Sequence, residues 1–334
     1  MPDTTVILVA YHGDRWIPAC IDSLRESARS IRLVLLDNAG NTCIDGLDLS
    51  GFDHMVLRAP RSLGFAEANN YALQQAGLGT EFVCFLNQDT ISGPAWIEAC
   101  VDVLRAEPEI GAVSPMIATY DEQGWDRAFL ECARQSEAFR QDFDGSRLVQ
   151  AYYETSVITA AAMVVRGAAL LAVGPFDPIY GSYYEDFDLC RRIREAGYRV
   201  GVCTRGTVGH FAGSATTDDK SLRRRSRQIT RNRVIYSVRS AGARRVPALL
   251  RYWITKLPYN LARSVWGTPS STPLSAYLGA HLDLMRLMPR LLSASNDRKA
   301  WRRYLAELGW PDRSDDYHPD PPRTGMLAEL GLGD

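Results

Sequence analysis

Three places along the 334-residue chain carry groups able to do chemistry. Asn87-Gln88-Asp89-Thr90 follows the apolar run at 81–86. A carboxylate just past a buried strand can hold a divalent cation, and the cation can bridge two phosphates. The plainer alternative is that Asp89 or Thr90 caps the helix near Trp96 or closes an Asx-turn. Gly181-Ser182-Tyr183-Tyr184-Glu185-Asp186-Phe187-Asp188 sets three acids within four residues, flanked by Tyr180 and three further aromatics. Aromatic faces suit the apolar faces of a sugar ring, and an acid among them can act as general base toward a hydroxyl. The alternative is a solvated helix start with Asp188 pairing Arg192 four residues on. Gly209-His210 follows the last strand, where a neutral imidazole can complete a metal sphere; a lone histidine is more often structural.

Two further segments belong with these. Asp37-Asn38 ends the apolar run at 31–36, where a carboxylate can accept from a base N–H or a ribose hydroxyl, or simply form a turn. The stretch from Ser62 to Asn70 opens a helix, with Gly64 allowing close backbone approach and the helix start favouring an anion. GxGxxG after a strand and GxxxxGK[ST] are both absent, which removes the usual phosphate cradles of nicotinamide-binding and P-loop proteins.

The elements that must position these groups alternate. Apolar runs predict strands at 6–11, 31–36, 55–57, 81–86, 110–117, 156–165 and 198–203. Helical patterns are predicted at 16–24, 65–75, 96–104, 167–171 and 186–195, with 120–150 as a polar loop or small subdomain. This rhythm predicts an α/β fold with a mainly parallel sheet covered by helices on both faces. Ligands of such sheets sit beyond the carboxyl ends of strands. Tyr11-His12, Asp37 and Asp89 all fall at such ends, so they are expected to converge on one crevice.

Apolar residues make up 46% and charged residues 23%, which excludes disorder along most of the chain, a collagen-like chain and a multi-span membrane protein. Seven scattered cysteines without a CxxC pair argue against a disulfide framework or zinc site and for a reducing compartment. The N-terminus shows no basic n-region and no apolar h-region, so no secretory signal is read there. The net charge of -1 conceals a split: Lys220 to Arg303 holds 19 Lys and Arg against Asp283 and Asp297, or +17, leaving -18 elsewhere. So large an imbalance suggests that the basic part faces something anionic. Strands vanish from about Ser221, and basic helical patterns broken by prolines follow. The expected organisation is a catalytic domain over 1–219, a basic helical appendage over 220–310 and a loosely ordered tail over 311–334. Arg251, Lys256, Arg263 and Pro258 interrupt the most apolar stretch, at 246–266, so helices carrying Trp253 and Trp266 fit a membrane surface better than a span.

The ordered set of motifs resembles the inverting GT-A glycosyltransferases of family 2, particularly the bacterial rhamnosyltransferase-like branch. The matching residues are the opening at 6–11, Asp37-Asn38-Ala39, Leu63-Gly64-Phe65-Ala66 with Asn69-Asn70, and Asn87-Gln88-Asp89-Thr90. Gly174-Pro175-Phe176-Asp177, Glu185-Asp186-Phe187-Asp188-Leu189-Cys190 and Gly209-His210 complete the set, which covers about residues 4–215. The resemblance implies a nucleotide-diphospho-sugar donor held by Tyr11, Asp37, Asn38, Gly64, Phe65, Asn69, Asn87, Gln88 and Asp89, with Asp37 on the base or ribose. It implies Mg²⁺ or Mn²⁺ bound by Asp89 and His210, Asp186 as catalytic base, and Tyr183, Tyr184 and Glu185 in contact with acceptor or sugar. Asn87 stands where the first acid of a DxD motif would, which removes a negative charge from the site.

The resemblance further implies an inverting transferase that moves L-rhamnose from dTDP-L-rhamnose, with UDP-hexoses as runner-up. The acceptor would be a hydroxyl of a growing bacterial surface glycan carried on a polyprenyl diphosphate. Arg223, Arg224, Arg225, Arg227, Arg231, Arg233, Arg244 and Arg245 are expected to hold that diphosphate or an anionic leaflet, which places the chain in the cytoplasm as a peripheral protein. Packing of the appendage on the acidic domain, or a homo-oligomer interface, would also use that charge. Two other classes are weaker. A sugar-phosphate nucleotidyltransferase wants a Gly-rich basic loop where Tyr11-His12-Gly13-Asp14-Arg15 stands. A non-catalytic, arginine-rich nucleic-acid binder leaves the strand-end acids unexplained and predicts salt-sensitive binding; no nucleic-acid partner is expected.

Overall fold

The computed structural model describes residues 2–27, 30–211, 219–266 and 272–311. The described residues fall into two compact units. The first runs to Pro178 and resumes from Asp186 to Phe211; the second takes Ile179–Glu185 and everything described from Asp219 onward. The tyrosine-rich turn before Asp186 thus groups with the helices, where a single boundary at 219/220 was expected. The tail beyond Pro311 and Ala212-Gly213-Ser214 lie outside the described residues.

The first unit is a nine-stranded mixed sheet. Its strands are β1 (Thr4–Ala10), β2 (Ile31–Asp37), β3 (Asp53–Arg58), β4 (Phe82–Asn87), β5 (Thr90–Ser92), β6 (Ile110–Thr119), β7 (Tyr152–Glu154), β8 (Ala162–Arg166) and β9 (Arg199–His210). They lie in the order β3-β2-β1-β4-β8-β6-β9-β5, with β7 added to β9. β3, β2, β1 and β4 run parallel, as do β6 and β9; β8 is antiparallel to both of its neighbours. Every residue of β1 is buried, as a strand covered on both faces requires. Helices α1 (Ile17–Ser27), α2 (Phe65–Ala76) and α3 (Trp96–Ala106) fill the crossovers.

Three expectations shift. The segment 120–150 holds two helices, α4 (Arg127–Ala133) and α5 (Glu137–Asp144), each capped by a side chain: Asp126 accepts from Phe129 N and Ser136 from Phe139 N. The strand expected at 156–165 is only β8, because 156–161 runs as a connection. The strand expected to stop at Cys203 continues to His210, since its second half re-pairs with Met116–Thr119 of β6 after a register shift and with β5. Helices α6 (Gly167–Val173) and α7 (Glu185–Glu195) complete the chain before β9.

The second unit consists of α8 (Asp219–Ser240), α9 (Arg245–Arg251), a π-helical stretch at Tyr252–Lys256, α10 (Leu257–Trp266), α11 (Leu274–Leu291) and α12 (Ala294–Glu307). Two of its acids, Asp283 and Asp297, are sunk among arginines. Asp297, 7% exposed at its side chain, pairs with Arg239 at 2.6 Å, Arg245 at 2.8 Å and Arg290 at 3.0 Å. Asp283 accepts from two nitrogens of Arg227 at 2.7 and 2.8 Å. Arg231 donates to the carbonyls of Ile179 and Tyr180. Arg227, Arg231 and Arg245 therefore brace the unit internally, whereas all eight arginines named above were expected to face an anion. Among the described residues no helix is long and apolar enough to cross a membrane.

Candidate active site

The site is built at the carboxyl ends of β1, β2 and β4 and the end of β9. Asp89 lies two residues past β4. The Phe211 amide donates to the Asp89 carbonyl at 3.0 Å, and Thr90 opposes His210 in the β5–β9 ladder. Those pairings bring the His210 imidazole to the Asp89 carboxylate: Nε2 lies 3.6 Å from Oδ1, and the Asn87 amide nitrogen is 3.4 Å from the same Nε2. Neither Asp89 nor Thr90 caps α3, whose N-cap is Ala95.

The other imidazole nitrogen of His210 meets Asp126 Oδ2 at 3.2 Å. Asp126 is buried and was not among the expected site residues. The one legible signal was its N-cap position before Arg127-Ala128-Phe129, which says nothing of histidine. A carboxylate on Nδ1 fixes the tautomer and aims Nε2 outward, as second carboxylates do at histidine metal ligands. Burial alone would discourage protonation of His210, but the Asp126 and Asp89 carboxylates outweigh it and raise the imidazole to about 9. Burial also opposes ionisation of Asp126, yet the His210 bond and the Phe129 amide hold it below its ordinary value. Two carboxylates that retain a proton on the ring between them are suited to retain a divalent cation with release of that proton. One carboxylate and one imidazole fit Mg²⁺ or Mn²⁺ sharing its sphere with phosphate oxygens and water. Among the described residues no three His, Cys, Asp or Glu side chains form a complete cage, so a cation here would depend on its substrate for ligands.

Asp186 reaches the same edge through the backbone. The Asn87 amide donates to the Ala161 carbonyl at 2.9 Å, tying the end of β4 to the entry of β8. The neighbouring Ala160 amide donates to Asp186 Oδ2 at 3.3 Å, and the Phe187 amide to Oδ1 at 2.9 Å. Burial pushes the carboxyl up to about 6, against those two hydrogen bonds. Asp188 does pair with Arg192, at 2.8 Å, and also with Arg191, but the pair is buried, not solvated.

The remaining residues divide by what they hold. Gln88 and Tyr11 exchange two hydrogen bonds, Tyr11 N to Oε1 at 2.7 Å and Nε2 to Tyr11 O at 2.8 Å. Gly13 makes room for this lock, since a Cβ there would lie 2.0 Å from Gln88 Oε1. Asp37 is buried; burial disfavours its charge, but the Asn41 side chain and amide and the Ala39 amide hold it below its usual value. Its other oxygen pairs with Arg58 at 2.9 Å. Asn38 exchanges two hydrogen bonds with the Leu63 backbone, and Asn69 donates to Phe65 O. Asn70 does the same with Phe176, 106 residues away. These amides staple the loop before α2, with Gly64 and Phe65 on it, to β2 and to the Gly174-Pro175-Phe176-Asp177 turn, where Phe65 and Phe176 rings pack 5.9 Å apart. Tyr183, Tyr184 and Glu185 belong to the second unit. There Asn232, wholly buried, donates to the carbonyls of Tyr180, Ser182 and Tyr183, and both tyrosines at 183 and 184 take positive φ (70° and 74°).

A family model described as glycosyl transferase family group 2 matches residues 82–289. A pre-mycofactocin glycosyltransferase of Mycobacterium tuberculosis is 30% identical over 200 residues, which cover 59% of this chain and 40% of that one. An N-acetylglucosaminyl-diphospho-decaprenol L-rhamnosyltransferase of the same organism is 24% identical over 245 residues, 65% of this chain and 78% of that one. The chain thus spans less than half the length of the first of these relatives. A solved mannosyltransferase from Pyrobaculum calidifontis in complex with GDP-Man and Mn²⁺ superposes with a TM-score of 0.54 at 17% identity, over 92% of this chain and 84% of that one. That likeness is one of fold, and the fold is GT-A-like.

Proposed function

Because the chain belongs to glycosyl transferase family group 2, we propose that it transfers a sugar from a nucleotide diphosphate to an acceptor hydroxyl with inversion at the anomeric carbon. The donor lies across the carboxyl edge of β1, β2 and β4. Asp186 takes the acceptor proton as the oxygen attacks, and its buried carboxyl is matched to that task near neutral pH. Asp89 and His210 would hold Mg²⁺ or Mn²⁺, which when bound neutralises charge on the departing diphosphate. Asp126 keeps His210 Nε2 turned toward Asp89. Tyr11 and Gln88 shape the donor floor, with Asp37, Asn38, Gly64, Phe65, Asn69 and Asn87 beside it, and Tyr183, Tyr184 and Glu185 serve the acceptor side. The preferred donor is dTDP-L-rhamnose, with UDP-hexoses next, and the acceptor is a lipid-linked glycan at an anionic membrane surface. The rhamnosyltransferase relative and its decaprenol-linked substrate name support that choice.

The observation that carries the reading is the backbone route joining Asn87 to Ala161 and Ala160 to Asp186, with His210 paired across to Thr90. Asp186→Asn should lower turnover by about 10²–10⁴-fold with donor affinity nearly unchanged. Turnover equal to the parent chain's would remove Asp186 from the mechanism.

A further inference from the structure

Past the end of β1 the chain forms a loop pinned at several points. Gln88 holds the Tyr11 amide, the Gly13 amide donates to Asn41 Oδ1 at 2.7 Å, and Asp14 Oδ1 accepts from the Cys43 amide at 2.8 Å. The Gly13 carbonyl accepts from the Trp16 and Ile17 amides at 2.7 and 3.0 Å, which opens α1. Arg15 is exposed within this loop. Its guanidinium carbon lies 4.4 Å from the centroid of the Trp16 ring and 5.8 Å from that of Phe211.

Those two rings pack 4.2 Å apart, and Tyr120 lies 5.2 Å from Trp16 and 6.1 Å from Phe211. The three rings come after β1, β6 and β9, whose carboxyl ends share one edge of the sheet. Phe211 follows His210 directly, and its amide is the one bonded to the Asp89 carbonyl. One aromatic residue thus links the Arg15 guanidinium to the Asp89–His210 pair. Other arginines of this edge are occupied: Arg58 pairs with Asp37 and Asp45, and Arg61 with Glu67. Among the described residues Arg15 meets no carboxylate and spends no N–H on a protein acceptor. A planar cation on a pinned loop, with its donors unspent, is organised in advance for a phosphate. A departing nucleoside diphosphate carries more negative charge than one divalent cation neutralises, so a second cation beside it has work to do. We propose that Arg15 binds the diphosphate of the nucleotide-sugar donor, with the Trp16 and Phe211 rings holding its guanidinium in place. The identity of that ligand rests on the donor reading above.

The test is calorimetric titration of the full chain with dTDP, UDP and GDP, with the matching nucleosides followed by saturation-transfer NMR. Arg15→Gln should weaken the tightest-binding diphosphate by about 10–100-fold, the worth of a charge-assisted hydrogen bond. Arg15→Lys, which keeps the charge but not the flat stacked fork, should lose less. Phe211→Leu, with the charge intact and one ring gone, should weaken binding several-fold. Nucleoside binding and the melting temperature of the unliganded chain should stay unchanged in Arg15→Gln. Undiminished diphosphate affinity in Arg15→Gln would overturn the proposal. An equal loss of nucleoside and diphosphate binding would also overturn it, because Arg15 would then only prop the loop. A parent chain that binds none of the three diphosphates refutes the donor site itself. One that binds them with or without Arg15 refutes the arginine alone.

Discussion

At the scale of single residues, the site sets one carboxyl raised by burial against a histidine raised by carboxylates. Asp186, held up to about 6, works as a base only when ionised. Turnover per encounter, kcat/KM, should therefore fall as pH drops through about 6 and level off above it, a profile readable with any accepted donor. A flat profile from pH 5 to 7 would contradict the assignment. Asp126 acts through His210 and should touch no substrate. Asp126→Asn is expected to weaken Mn²⁺ binding by about 10–100-fold, read by calorimetry or Mn²⁺ electron paramagnetic resonance, before any turnover is measured. This residue was hidden in the sequence because its partner lies 84 positions away and its own neighbourhood reads only as a helix cap. Asp89 and His210 stood out in the sequence because each follows an apolar run, and Asp186 because it lies in a cluster of acids flanked by aromatics.

The same contrast holds for whole elements. Strand ends along β1, β2 and β4 were readable from apolar runs, since strands buried on both faces must be almost wholly apolar. The reversal at β8 and the re-pairing of the second half of β9 were not, because strand direction and register depend on partners far along the chain. The asparagines at 38 and 70 were legible as a pattern but not as a job: both spend their amides on backbone groups of distant loops. Asn232 does the same for the turn at Ile179–Glu185. Asn232→Leu removes the amide donor to the Ser182 and Tyr183 carbonyls, at about 1–3 kcal/mol for each, while the Tyr180 carbonyl keeps Arg231. Denaturation should show that loss, and hydrogen exchange should show it concentrated around residues 179–185. Unchanged protection there would mean that another contact holds the tyrosine turn.

For the whole molecule, the charge split read from composition is real, but its use is divided. Part of the +17 is consumed internally around Asp283 and Asp297; arginines such as Arg223 and Arg224 remain exposed. Burial opposes ionisation of Asp297, but Arg239 and Arg245 hold its carboxyl below the usual range. A depressed carboxylate contributes stability present above its unfolded value and lost as pH falls through its folded one. Asp297→Ala removes the carboxylate shared by three guanidiniums and should cost about 3–5 kcal/mol by chemical denaturation at neutral pH, with the loss shrinking in acid. Composition could not distinguish guanidiniums turned inward from those facing an anion, because both contribute equally to net charge.

The most direct test is a thermal-shift titration of the full chain with dTDP-L-rhamnose, UDP-glucose and GDP-mannose, with and without Mn²⁺. At least one nucleotide sugar should raise the melting temperature, more with Mn²⁺ than without, and Asp89→Asn should remove the Mn²⁺-dependent part. No shift with any of them, or a Mn²⁺ effect untouched by Asp89→Asn, would contradict a donor site at the carboxyl edge of the sheet.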